Sequence, residues 1–244
     1  MSDITTREIE YTAHDGKNFV GFFAAPKTDQ PVAGIIVVPE WWGRDDYVVE
    51  RAKALAEKGY AAFAVDMYGD KKTTDEASQA HEWMNETFAQ PNTIVDRANA
   101  ALATLSAQPE VDPNRLAAIG FCFGGKVVLE LARAGAPIQS VASFHGNLQT
   151  QNPAKEGVFK AATLICHGKD DSMVSLEDVA NITQELESAH VPHQVLVLEN
   201  AKHGFMNPLA DERAKKTGVD VGYNAQAEQK SLIALDELLQ TTLK

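Results

Sequence analysis

The sequence predicts an α/β fold: a mostly parallel central sheet with helices on both faces and an N-terminal antiparallel hairpin. Two patterns carry that expectation. From Gly34 onward, short apolar runs alternate with amphipathic segments, the signature of βαβ units. Ahead of them, "REIEYTA" and "NFVGFFAAP" alternate at period two around Asp15-Gly16, a strong short-range hairpin signal. The 244 residues are enough to bury a sizeable core without staples. No repeat, low-complexity tract or Gly/Ser linker divides them, so residues 1–244 are expected to form one domain.

The elements follow in order. "GIIVVP" is the first central strand, and Tyr47 to Lys58 the helix after it, with Val48, Ala52, Leu55 and Ala56 on one stripe. Gly59 stands where that helix needs a C-terminal cap. "YAAFAVD" is the next strand. Thr74 to Phe88 and Thr93 to Ser106 read as two helical pieces broken near Pro91, and "VDPNR" at 111 to 115 supplies a turn before the strand "RLAAIG". Further strands are expected at Ile138 to Phe144, Ala162 to His167 and His193 to Leu198. Ser175 and Asp178 make a capping box for a helix reaching Ser188, and Tyr223 to Leu243 closes the chain as a helix.

Composition removes several function classes. Lys and Arg total 22 against 34 Asp and Glu, a net charge of -12, which disfavours nucleic acid as a partner. The densest charge run, "DERAKK" at 211 to 216, mixes signs and reads as a solvated face. Two cysteines without paired metal spacing point to a reducing compartment, and the cytoplasm is the expected location. No basic segment followed by an apolar run opens the chain, and no stretch approaches the ~18 apolar residues of a membrane span.

The most informative stretch is "AAIGFCFGG" at 117 to 125. Gly120-Phe121-Cys122-Phe123-Gly124 is a G-x-S-x-G nucleophile elbow with cysteine in the serine position, between a predicted strand and a predicted helix. A turn that sharp holds its central residue strained and leaves no room for a Cβ two positions to either side, which explains both glycines. It also places the sulfur over a helix N-terminus, which favours thiolate, and aims the Phe123 backbone N–H at a developing oxyanion. Cys166, inside the buried-strand run "ATLICHG", has nothing nearby to activate it and reads as core.

A thiol doing acyl transfer needs a base, and the base an orienting acid, in the chain order nucleophile, acid, histidine. "HGKDDSMVS" and "LENAKHGF" both follow strand C-termini, where an open α/β sheet gathers its chemistry. His203 is the expected base. Asp170 or Asp171 is the acid, with Gly168-x-x-Asp171-x-x-Val174 favouring Asp171. His145 and His167 also stand at strand ends, where each lines the cleft or bonds loop backbone; His145 is counted with the expected substrate contacts. In "VVPEWWGRDDY" the Trp41 N–H is the candidate second oxyanion donor. Glu40 beside it either points into the cleft or pairs with Arg44, and Trp41 and Trp42 are core or walls of an apolar acyl pocket.

With those residues in view, the chain resembles the dienelactone hydrolase family from about "GIIVVPEWWG" to "AKHGF", most specifically in "VDMYG" and "GFCFGG". The resemblance implies a compact α/β-hydrolase fold with Cys122 as nucleophile, His203 as base and Asp171 as acid. It also implies that Glu40 contacts the resting thiol and is redirected by substrate so that thiolate forms. Trp42, Arg44, Tyr68 and His145 would contact substrate. Two places where lactone-binding members of the family carry arginine hold Asp70 and Asn207 instead. Losing two guanidinium forks weakens recognition of an anionic lactone, with Arg44, Lys71 and Lys72 the possible substitutes.

The expected function is therefore cysteine-dependent hydrolysis of a carboxylic ester or lactone through an acyl-enzyme, with no metal and no organic cofactor. The expected partner is a small ester or lactone, not a nucleic acid or membrane, and the expected assembly a monomer or small homo-oligomer. The alternatives are a small-ester or thioester hydrolase outside aromatic degradation, and a non-catalytic binding protein on the same shell.

Overall fold

The computed structural model describes residues 3–90 and 92–244. Its eight strands share one sheet in the order β1-β2-β4-β3-β5-β6-β7-β8. The hairpin strands β1 (Ile4–Thr12) and β2 (Asn18–Pro26) are antiparallel, and β2 joins β4 (Ala61–Ala64) antiparallel as well. Gly16, at φ +79°, closes the turn as the Asp-Gly pair predicts. From β4 the sheet runs parallel through β3 (Val32–Val38), β5 (Val111–Phe121), β6 (Ser140–Phe144), β7 (Ala162–Gly168) and β8 (His193–Leu198).

Helices cover both faces because the central strands are apolar on both. In β3, Ile36 and Val38 join one core, which takes in Leu102 of α3 (Thr93–Ser106), Val128 of α4 (Phe123–Arg133) and Ile182 of α5 (Leu176–Ser188). Ile35 and Val37 join the other, with Val48 and Leu55 of α1 (Asp46–Glu57) and Leu235 of α7 (Ala225–Thr242). The predicted caps are present. Ser175 and Asp178 form a reciprocal capping box, and Gly59 takes φ +98° just past α1.

Three differences from the sequence reading have physical causes. "VDPNR" does not precede β5 but bulges within it. Ala33 pairs Asp112 and Gly34 pairs Leu116, leaving Pro113, Asn114 and Arg115 looped out, with the Asp112 carboxylate accepting the Asn114 N–H. The helix α2 (Ala77–Phe88) begins later than Thr74, because the Thr74 N–H is bound to the Trp42 carbonyl and Thr73 bridges Gly43. Pro91 lies outside the described residues. Third, the "DERAKK" run is not merely solvated surface but most of a helix, α6 (Ala210–Thr217), with acids in its first turn and lysines in its last, closed by Gly218 at φ +75°. No helix among the described residues is long and apolar enough to cross a membrane.

The chain leaves β3 toward β4 on one side and returns to β5 on the other, so the strand order reverses between β3 and β5 and a crevice opens at their C-terminal ends. Close packing keeps those ends together: a Cβ on Gly124 would lie 2.2 Å from the Val38 carbonyl oxygen, and one on Gly120 2.1 Å from that of Gly124. Gly124→Ala is expected to lower stability by more than about 4 kcal/mol or to prevent folding. Gly157→Ala, with nothing within 4 Å of its Cβ and φ +75°, is expected to cost only about 1–2 kcal/mol, both variants being compared with wild type by urea unfolding.

Candidate active site

Cys122 sits at that crevice, between β5 and α4, with φ 52° and ψ −114°. This is strained for a residue with a side chain, and neighbours on both sides enforce it. Its N–H donates to the Phe144 carbonyl and its own carbonyl accepts from Gly125, so the peptide frame is fixed while the side chain stays partly exposed. Among the described residues, neither the Phe123 nor the Trp41 backbone N–H has an acceptor. Tyr68 stacks on Phe123 and donates its hydroxyl to the Trp41 carbonyl at 3.0 Å, which steadies the loop carrying one of those two donors.

Asp171 and His203 come together from the loops after β7 and β8. Those loops approach so closely that a Cβ on Gly168 would lie 2.3 Å from the Ala201 carbonyl oxygen. One Asp171 oxygen accepts the Met173 and Val174 N–H groups, and the other meets His203 Nδ1 at 2.8 Å. Burial pushes this carboxyl up, but the His203 and backbone hydrogen bonds outweigh it and hold it below its usual range. Burial likewise opposes a charge on His203, yet Cys122 and Asp171 prevail and push the imidazole up to about 10. Its Nε2 has no hydrogen-bond partner among the described residues. Asp170, the alternative acid, is exposed.

Glu40 lines the crevice but is committed elsewhere. Its Oε2 accepts from Asn207 Nδ2 at 2.6 Å and pairs with Arg213 at 3.0 Å, and it makes no hydrogen bond to Cys122 among the described residues. Burial raises its pKa, with Arg213 and the Asn207 hydrogen bond opposing. Arg213 reaches in from α6, holds Asp45 at 2.6 Å with its other nitrogen and lies over the Trp42 ring at 4.8 Å. Reading "DERAKK" as a solvated run missed this residue; the acid-to-lysine order of the segment could have revealed the helix, though not where Arg213 points.

The cleft itself measures about 200 Å³. Cys122, His203, Glu40, Trp41, Trp42 and Phe123 line it, joined by Met84 and Phe88 from α2, Met173 and Val174 from the loop after β7, and Val219 and Val221 beyond α6. Three expected substrate contacts lie outside this lining. Arg44 is buried against Glu8 at 2.8 Å, which also removes it as the partner of Glu40. Tyr68 is 3% exposed and serves the Trp41 loop. His145 turns through φ 40° and packs fully buried against the His203 ring at 5.3 Å, where burial and His203 hold its pKa well below the ordinary value. Neither its ring nitrogens nor those of buried His167 have partners among the described residues. Lys71 pairs with Glu8, Lys72 lies over Trp83, and Asp70 is exposed. Cys166 is core, its thiol pushed up to about 12 by burial. No group of three or more metal-ligating side chains is assembled among the described residues.

A mostly parallel sheet wrapped on both faces, with the elbow at the strand reversal and an aspartate and histidine on the loops after β7 and β8, defines a hydrolase of the α/β-hydrolase fold. Comparison with known proteins narrows the class: the family model of the dienelactone hydrolase family matches residues 19–243, and the chain belongs to that family. A protein of Synechocystis sp. described as "putative carboxymethylenebutenolidase" is 27% identical over 238 residues, 92% of each chain. One of the same description from Escherichia coli K12 is 25% identical over 200 residues, covering 78% of this chain and 74% of that one. Among solved structures, a dienelactone hydrolase-like promiscuous phosphotriesterase from metagenomic libraries superposes with a TM-score of 0.91 at 36% identity, covering 99% of both chains.

Two measurements check the polar frame. The stability that protonation of His203 contributes is complete below its ordinary value of 6.5 and is withdrawn as pH climbs through about 10. A downfield Nδ1 proton signal in NMR should accordingly move upfield without disappearing as Nε2 loses its proton near pH 10, and vanish in Asp171→Ala. Removing Arg213 leaves Glu40 buried with only an amide partner, so Arg213→Met is expected to cost about 3 kcal/mol in urea unfolding. Glu40→Gln in the same chain should recover about 1 kcal/mol or more of that loss, the coupling expected of contacting charges.

Proposed function

We propose that this protein hydrolyses carboxylic esters or lactones with Cys122 as nucleophile, His203 as proton carrier and Asp171 as the group orienting it. The observation that carries the reading is the 2.8 Å bond between Asp171 and His203 Nδ1 beside a strained elbow cysteine. With Nδ1 held by the carboxylate, Nε2 is the nitrogen left to exchange protons. Cys122 Sγ, its proton passed to His203 Nε2, attacks the carbonyl carbon, and the resulting oxyanion is received by the Trp41 and Phe123 N–H groups. As the C–O bond to the leaving group breaks, His203 Nε2 delivers a proton to the departing alkoxide, leaving a thioester on Cys122. Water then adds to the thioester carbonyl as Nε2 takes its proton, and the thiolate departs.

Glu40 enters this scheme differently from the switch that the family resemblance implies. Its carboxylate is held by Asn207 and Arg213, so no substrate carboxylate is needed to draw it off the thiol. The relatives described as carboxymethylenebutenolidases favour an ester or lactone carbonyl as the electrophile, and the metagenomic neighbour's description extends the range of electrophiles that such a scaffold accepts. Two unpaired cysteines, one of them the proposed nucleophile, suit a reducing compartment such as the cytoplasm.

On p-nitrophenyl acetate, wild-type protein is expected to show a burst equal to the enzyme concentration and an added acetyl mass on the peptide containing Cys122. Cys122→Ala should lose both. Asp171→Asn should retain the fold and lower kcat about 10⁴-fold, as expected when the imidazole loses the partner that fixes its orientation. Full turnover by Cys122→Ala would overturn the assignment.

A further inference from the structure

The charges around the cleft are already matched within the protein. Arg213 is shared by Glu40 and Asp45, Arg44 is held by Glu8, and His203 is bonded to Asp171. Lys126, the one Lys or Arg of the lining among the described residues, gives its ammonium to the Gln149 carbonyl at 2.6 Å and to Glu130 at 3.4 Å. Among the described residues, each guanidinium and ammonium around the cleft is thus already engaged within the protein, while Glu40 presents a carboxylate in the wall.

The rest of the wall is apolar, and it continues to the mouth. Phe88 from α2 and Met173 from the loop after β7 line the cleft yet are 41% and 47% exposed. Large apolar side chains left in water at the rim of a concave site gain most from a ligand that covers them. Val221, bridged to His203, holds a further apolar side chain beside the imidazole.

Building on the thiol-hydrolase reading above, we infer that the cleft selects electrically neutral esters carrying an apolar group that packs against Met84, Phe88 and Met173, and rejects esters bearing a carboxylate. A carboxylated ester would lose its hydration in the cleft, meet no guanidinium or ammonium that is not already engaged, and lie near Glu40. Specificity then resides in α2 and the loop after β7, not in the sheet that carries the proposed chemistry.

The matched pair p-nitrophenyl butyrate and p-nitrophenyl hemisuccinate tests this, because the two acyl chains differ by a terminal methyl against a carboxylate. The butyrate is expected to be favoured in kcat/KM by about 100-fold, the scale of a like-charge juxtaposition in a partly desolvated site. Met84→Arg should narrow that ratio at least tenfold by supplying a cation, and Phe88→Ala should raise KM for butyrate more than for acetate. Equal or better turnover of the hemisuccinate by wild type would overturn the inference. A second readout does not require turnover: alkylation of Cys122 by iodoacetamide and by iodoacetate, each relative to free cysteine. Neutral reagent favoured at least tenfold beyond the free-thiol ratio supports the inference; a ratio at or below it overturns it. Ester hydrolysis surviving in Cys122→Ala would remove the thiol mechanism and leave the butyrate-to-hemisuccinate ratio to decide the charge preference separately.

Discussion

The approach of α4 to β3 is the constraint on which the cleft depends. Gly120 and Gly124 let the first turn of the helix lie against the end of the neighbouring strand at distances that exclude even a methyl group. Cys122, between them, is driven to φ 52° because the chain must reverse from strand to helix without space to do so gradually. The same closeness brings the loop after β3 alongside the elbow, so that Trp41, Cys122 and Phe123 line one small cleft. Backbone packing sets these positions, and side chains farther out refine them: Tyr68 joins the two sides by stacking on Phe123 and binding the Trp41 carbonyl.

A second close approach organises the polar half of the site. Gly168 allows the loops after β7 and β8 to touch, so an aspartate and a histidine thirty-two positions apart meet in a buried hydrogen bond. The Met173 and Val174 amides fix the carboxylate from behind, which means that His203 is oriented by the backbone of the neighbouring loop through Asp171. His145 completes the packing, its ring set at 65° to that of His203 with centroids 5.3 Å apart. Held neutral by burial, it packs outside the cleft lining, whereas the sequence left open a place in the cleft or a bond to loop backbone.

What the sequence disclosed was whatever local chemistry dictates. The Asp15-Gly16 turn, the glycines of the elbow and the Ser175 capping box each impose one backbone geometry, and the structure has all three. The choice between Asp170 and Asp171 stayed open because adjacent residues on a loop point in different directions, and only the path of the loop decides which one meets His203. Arg44 was misplaced for a related reason. The sequence offers Glu40, four residues back, as its partner, but the loop carries it toward the sheet edge and Glu8 on β1. Arg213 was invisible because its importance depends on the position of a short helix over the cleft, which no periodicity within "DERAKK" encodes.

The exchange at position 207 changes what the guanidinium near the thiol can do. Where the family resemblance calls for arginine, Asn207 is 1% exposed and engaged at both ends, giving its amide to Glu40 and accepting the Leu209 N–H. The positive charge arrives instead from α6, and Arg213 enters with one nitrogen on Glu40, another on Asp45 and its face on Trp42. A guanidinium held by a carboxylate at each terminal nitrogen and stacked on a ring is fixed in place, not free to swing toward a ligand. A guanidinium extending from position 207 could shift its allegiance between Glu40 and a bound carboxylate. Arg213 could do so only by abandoning two carboxylates and an aromatic face at once. The pair it forms with Glu40 is therefore part of the wall, and the wall owes its closed electrostatics to the element that brings the arginine in.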